Sequence, residues 1–192
     1  DPWFNMGNLD KKTSPIVCPQ AMDTRRFFLR TDGDVVASNR FLLVQPNAGI
    51  DSDVLLGLLN SSLTKIVIES HGRITGGGAV NLSGSDLRTL RVVDPDALSE
   101  EQASRIKDGF NRLTTGDDSG LDDIDEIIID ILELDVSVNE VQEIAETLKL
   151  TRRKKGQEVE PLIQELDELE GHIEMAFKDN SAHQQGLSEF GD

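Results

Sequence analysis

The residue types of this chain come closest to chemistry in the stretch His71-Gly-Arg-Ile-Thr-Gly-Gly-Gly-Ala79. Glycine-rich loops expose backbone amides that can cradle phosphate, and Arg73 adds a cation to this one. A Walker A loop requires Lys and then Ser or Thr directly after its second glycine. Counted from Gly72 that glycine is Gly77, and the next two residues are Gly78 and Ala79, so the pattern fails. Three successive glycines followed by Ala79 and Val80 also fail to give the Gly-x-Gly-x-x-Gly spacing of a dinucleotide site. What remains is a loop whose backbone can approach a large polyanion closely.

Glu69, Ser70 and His71 supply an acid, a nucleophile and a base on paper. Consecutive residues do not face one another as a triad requires, so His71 is expected at the surface. The other histidines, His172 and His183, have no ligand spacing between them. Cys18 is the single cysteine, which excludes an intrachain disulfide and a cysteine zinc site and fits a reducing interior. The acidic runs Asp122-Asp123, Asp125-Glu126 and Glu165 to Glu170 read as solvated helix faces. No catalytic or metal-ligating constellation emerges. Dense positive charge occurs at Arg25-Arg26 and at Arg152-Arg153-Lys154-Lys155. The second run reads as a solvated helix end, where cations complement the C-terminal dipole.

These residues must be positioned by two kinds of segment. Short β-type runs are predicted at Ser14 to Val17, Arg26 to Arg30, Val35 to Ser38 and Phe41 to Gln45, with a hairpin turn at Thr31-Asp32-Gly33-Asp34. An apolar helical face follows over Ser52 to Ile68, broken near Asn60. Beyond the glycine loop come a strand at Ala79 to Leu82, a helical turn at Ser85 to Thr89 and a strand at Leu90 to Val93. From Ser99 the spacing turns helical. Ser99-Glu-Glu-Gln102 and Ser137-Val-Asn-Glu140 are capping boxes, and Leu121 to Leu132 carries an apolar stripe after a Gly116 to Gly120 linker. Val159, Leu162, Leu166, Leu169, Ile173 and Ala176 form a heptad seam, read first as packing within the chain's own bundle. The fold class is therefore α+β: a small mixed or antiparallel sheet with helices over 1–98, a helical bundle or hairpin over 99–178, and a flexible tail over 179–192.

Charge divides the chain at the same place. The whole carries a net charge of -17, which taken globally argues against a nucleic-acid partner. Residues 1–95 nevertheless hold 10 acidic and 10 basic side chains, and residues 96–192 hold 26 and 9. The first half is a neutral, arginine-bearing object and the second is a polyanion. Such acidity fits a salt-rich cytoplasm, where screening is strong and a melting temperature should rise from low to molar potassium chloride. No apolar run approaches the roughly 18 residues that span a bilayer. The start, Asp-Pro-Trp-Phe, lacks an initiator Met and a secretory leader and reads as a fragment of a longer chain.

One known layout matches these segments. Leu58-Leu59-Asn60-Ser61-Ser62-Leu63, then Gly72-Arg73, the glycine run, Asn81-Leu82 and Asp86-Leu-Arg-Thr-Leu-Arg-Val-Val-Asp-Pro95 succeed one another at short distance. Pro15, Arg25, Asn39 and Phe41 to Pro46 precede them in the same style. The sequence resembles the C-terminal target-recognition region of TaqI-like and Eco57I-like N-6 adenine DNA methyltransferases. The resemblance covers roughly residues 3 to 98, and more loosely the helices to about Leu162.

In that family a separate N-terminal domain binds S-adenosylmethionine and carries an Asn-Pro-Pro-Tyr or Asn-Pro-Pro-Phe motif. Neither is found in this sequence, so the resemblance implies the DNA-reading portion of a methyltransferase or fused restriction-modification enzyme, with no cofactor of its own. Its implied partners are double-stranded DNA and its own methyltransferase domain, in the cytoplasm. Candidate DNA contacts are Arg25, Arg26 and Arg40 near the strands, and His71, Arg73 and Asn81 around the glycine loop. The alternative is a protein-interaction or oligomerisation module, a homodimer through residues 159–177.

Overall fold

The computed structural model describes residues 13–22, 28–31, 37–74 and 79–153. Its strands are β1 (Ile16–Pro19), β2 (Ala21–Met22), β3 (Leu29–Arg30), β4 (Phe41–Val44), β5 (Arg73–Ile74) and β6 (Val80–Asn81). They form two three-stranded antiparallel sheets, ordered β3-β1-β4 and β2-β6-β5. In the first, Ile16 and Cys18 point into the core and are fully buried. Their neighbour Val17 faces the other way and stands opposite Leu29 and Leu43. Chain order carries β1 directly into the second sheet through Gln20.

The predicted helix over Ser52 to Ile68 is two helices, α1 (Ser52–Asn60) and α2 (Ser62–His71). Ser61 makes the break. Its extended backbone ends α1, and its hydroxyl accepts from the Thr64 amide and caps α2. A short helix α3 (Gly84–Arg88) opens on a capping box between Ser83 and Asp86. The strand expected at Leu90 to Val93 does not form. That segment leaves α3 with the Leu90 amide bonded back to Leu87, and Val93 anchors a connector to the core instead of pairing a strand.

The helical half consists of α4 (Glu100–Thr114), α5 (Ser119–Ile131) and α6 (Val138–Arg153). Both predicted capping boxes are formed, Ser99 with Gln102 and Ser137 with Glu140. Gly116 to Gly120 is not a linker but a tight turn, with Gly116 at φ +85° and Gly120 already inside α5. Gly109 and Gly120 touch backbone to backbone, and a Cβ on Gly109 would lie 2.7 Å from the Gly120 carbonyl oxygen. Only two glycines allow α4 and α5 to close to this distance.

The architecture is α+β. Helix α1 packs on α4, α2 on α6, and α4 on α5. One cluster of buried side chains accordingly runs from Ile16, Met22 and Val80 through Leu56 and Ile66 to Ile106, Ile124 and Val141, straight across residue 98. Among the described residues no helix is long and apolar enough to cross a membrane. The heptad seam and the tail lie outside the described residues.

Candidate nucleic-acid interface

Helix α2 delivers its last residue, His71, to the surface, where its Nδ1 lies 3.1 Å from the Val67 carbonyl. Gly72 then turns the chain, its amide donating to the Ile68 carbonyl at 2.8 Å. A Cβ here would stand 2.6 Å from the Ile68 oxygen, so glycine is required for the helix to pass directly into β5. Arg73, the first residue of β5, pairs with Asn81 of β6, which pairs on its other side with Ala21 of β2. Residues opposed in an antiparallel pair share a face. Arg73, Asn81 and Ala21 therefore form one row, and all three are exposed, while Met22 and Val80 fill the core side.

The Arg73 side chain is 71% exposed and reaches Asp86 Oδ1 at 3.4 Å. At that distance and exposure the pair orients the guanidinium without holding it. Asp86 is the N3 residue of the α3 capping box. The Ser83 hydroxyl and then the Ser83 amide, with Arg73 beyond, keep its carboxyl below the usual carboxylate range. Sequence reasoning placed Asp86 only within a motif. The Ser83-Gly-Ser-Asp86 spacing is the signal that marks it as a cap, and the fold adds its contact with Arg73.

Arg40 lies on the other sheet, in the turn before β4, and is exposed. Its carbonyl accepts from the Gln20 amide at 2.9 Å, and the Gln20 carbonyl accepts from the Leu82 amide at 2.8 Å. Gln20 thus ties the Arg40 turn to the end of β6 through backbone alone. Of the six predicted contact residues, Arg73 and Asn81 stand in register, His71 lies two residues from Arg73, and Arg40 joins through this tie. Arg25 and Arg26 lie outside the described residues.

Other sequence candidates have structural duties. Glu69, Ser70 and His71 do not form a triad: Glu69 pairs with Arg152, Ser70 donates to the Ile66 carbonyl at 2.8 Å, and His71 meets Val67. Arg152, expected on a solvated helix end, is buried. The face assigned to Asp125-Glu126 is only half solvated, because Asp125 is 1% exposed and accepts from the Ser62 amide at 2.8 Å and from Gln142 at 3.2 Å. Among the described residues no three His, Cys, Asp or Glu side chains converge as metal ligands.

No family model, curated protein or solved structure matches this chain. The site offers an exposed guanidinium and a carboxamide on one face of a small sheet, with an imidazole at the end of the helix that leads into it.

Proposed function

We propose that this chain is the sequence-recognising and positioning portion of an N-6 adenine DNA methyltransferase or a fused restriction-modification enzyme. It acts in the cytoplasm on double-stranded DNA, beside a methyltransferase domain that brings S-adenosylmethionine. The observation that carries the reading is the exposed row of Arg73 and Asn81 at the end of α2, in the half of the chain with no net charge. Several other cations pair with carboxylates: Arg30 with Asp53, Lys107 with Asp51, Arg105 with Glu126, Arg112 with Asp123 and Lys149 with Glu146. Among the described residues Arg73 makes only the long contact with Asp86, and the Arg40 guanidinium has no ion-pair partner.

Enzymes that act on a stacked base hold the duplex while the base is extruded, so gripping and reading are separate tasks. Guanidinium groups grip phosphate without sequence preference. The test is the salt dependence of duplex binding by this chain. Arg73→Ala should lower the slope of log affinity against log salt by about 1 with the preferred sequence unchanged. An unchanged slope removes Arg73 from the phosphate contacts.

A protein-interaction module is the second reading, favoured by the heptad seam of Val159, Leu162, Leu166, Leu169, Ile173 and Ala176. Under that reading the chain dimerises through residues 159–177, and Leu166→Asp abolishes a dimer seen by centrifugation.

A further inference from the structure

We infer that Asn81 reads a base edge, and that the edge is adenine's in the major groove. The inference rests on the DNA reading above and goes beyond it by separating a specifying residue from the gripping ones. Asn81 occupies the central strand of the β2-β6-β5 sheet, between Val80 and Leu82, which are 0% and 3% exposed. Those two neighbours are locked into the core, so the backbone that presents Asn81 is fixed from both sides. The Leu82 amide is fixed further by its bond to Gln20.

Strand β6 is only two residues long, and Asn81 is its last residue, two before the Ser83 cap of α3. The Asn81 carboxamide has no hydrogen-bond partner among the described residues. The exposed carboxamide is thus open to a ligand from a backbone held on both sides. On one side stands Ala21, which has no polar atom and leaves room; on the other stands Arg73, one strand spacing away. A carboxamide presents one acceptor and one donor group side by side, the complement of the adenine N6 donor and N7 acceptor. Arg73 is then placed to hold the adjoining phosphate while Asn81 meets the base.

The test is selection from a randomised duplex pool by the 192-residue chain, followed by competition binding, with Asn81→Ala, Asn81→Asp and Arg73→Ala alongside. The parent should show a required A·T pair. Asn81→Ala should flatten that position alone, by about 5- to 150-fold. Asn81→Asp, which keeps the acceptors and loses the donor, should shift the preference there toward cytosine, whose N4 donates. Arg73→Ala should weaken all sequences alike. Because Asn81 is exposed, thermal melts of the variants should match the parent, separating recognition from folding. If the parent binds duplex and Arg73→Ala weakens it while Asn81→Ala keeps the full preference, the assignment of Asn81 is overturned and the DNA reading stands. If the parent binds no duplex, both fall.

Discussion

Arg152, in the last turns of α6, donates to both carboxylate oxygens of Glu69 on α2, from Nε at 2.7 Å and from Nη2 at 3.1 Å. The two side chains are 3% and 2% exposed, so this is a buried ion pair joining residues 83 apart in sequence. The pairing is bidentate, the geometry in which a planar guanidinium best repays its own desolvation. It ties α2, which ends at the candidate site, to the final described helix.

Breaking that pair from one side leaves a buried charge without compensation. Arg152→Met or Glu69→Leu should each lower unfolding free energy by about 3 to 5 kcal/mol. The double variant Glu69→Leu with Arg152→Met should recover most of the loss, because apolar replacement of a whole buried pair is often neutral. Urea melts of the four proteins close the cycle. A double variant as unstable as the sum of the singles would show that the pair is not the source of the effect.

Asn60 plays an analogous part on the sheet side. Its Oδ1 accepts from the Phe28 amide at 2.9 Å, and its Nδ2 donates to the carbonyls of Phe28 at 3.0 Å and Leu56 at 2.8 Å. The carboxamide copies a strand partner and holds the entry to β3 against the end of α1. Asn60→Leu strands these buried backbone groups, at about 1 to 3 kcal/mol for each left unpaired. Asn60→Asp keeps the acceptor but turns a buried carboxylate toward the Phe28 and Leu56 carbonyls, so at neutral pH it should cost at least as much as Asn60→Leu at equilibrium in urea. Equal stability of Asn60→Leu and the parent would contradict the bracing role.

These two residues show what was legible in the sequence. The break near Asn60 could be read from the loss of apolar spacing, and the capping boxes at Ser99 and Ser137 from local chemistry, since both act within a few residues. The pairing of Asn60 with Phe28, of Glu69 with Arg152 and of Asp125 with Ser62 could not, because each is set by tertiary packing over long separations in sequence. Arg152 and Asp125 sit in charge runs whose pattern is that of a solvated face, and burial reversed the expectation for one residue in each run. The candidate interface was legible in its parts. That Arg73 and Asn81 share a row is a matter of strand register, which the glycine run between them conceals.

Asp125 gives stability a pH dependence of the opposite sign to that of most carboxylates. Burial pushes its carboxyl above the usual aspartate range, against hydrogen bonds from the Ser62 side chain and amide, a bond from Gln142 and the nearby charge of Lys65. A carboxyl with a raised folded pKa binds its proton more readily in the folded protein. Its contribution is therefore full below the unfolded value near 3.9 and is lost as pH rises through the folded value. The carboxyls of Asp51, Asp86, Asp117 and Glu140 are held low and act in the other direction, so the comparison must be made against Asp125→Asn. Stability of the parent relative to that variant should increase as pH falls from 7 toward 4. A difference that stays flat, or shrinks against the parent on acidification, would exclude Asp125 as the source.

Cys18 is predicted to be chemically silent while the sheet is intact. It is 0% exposed at the centre of β1, opposite Leu42 of β4. Burial pushes its thiol up to about 12, with a backbone hydrogen bond from Leu42 acting weakly the other way. At pH 8 almost none of it is thiolate, the form that attacks, and reagent cannot reach the sulfur without parting β1 from β4. A disulfide reagent added to the native protein should therefore label Cys18 only as fast as the sheet opens. Labelling should accelerate with urea in step with unfolding and be complete at once in the unfolded chain. Reaction of the native protein at the rate of a free thiol would mean that the β1–β4 pairing is not maintained in solution.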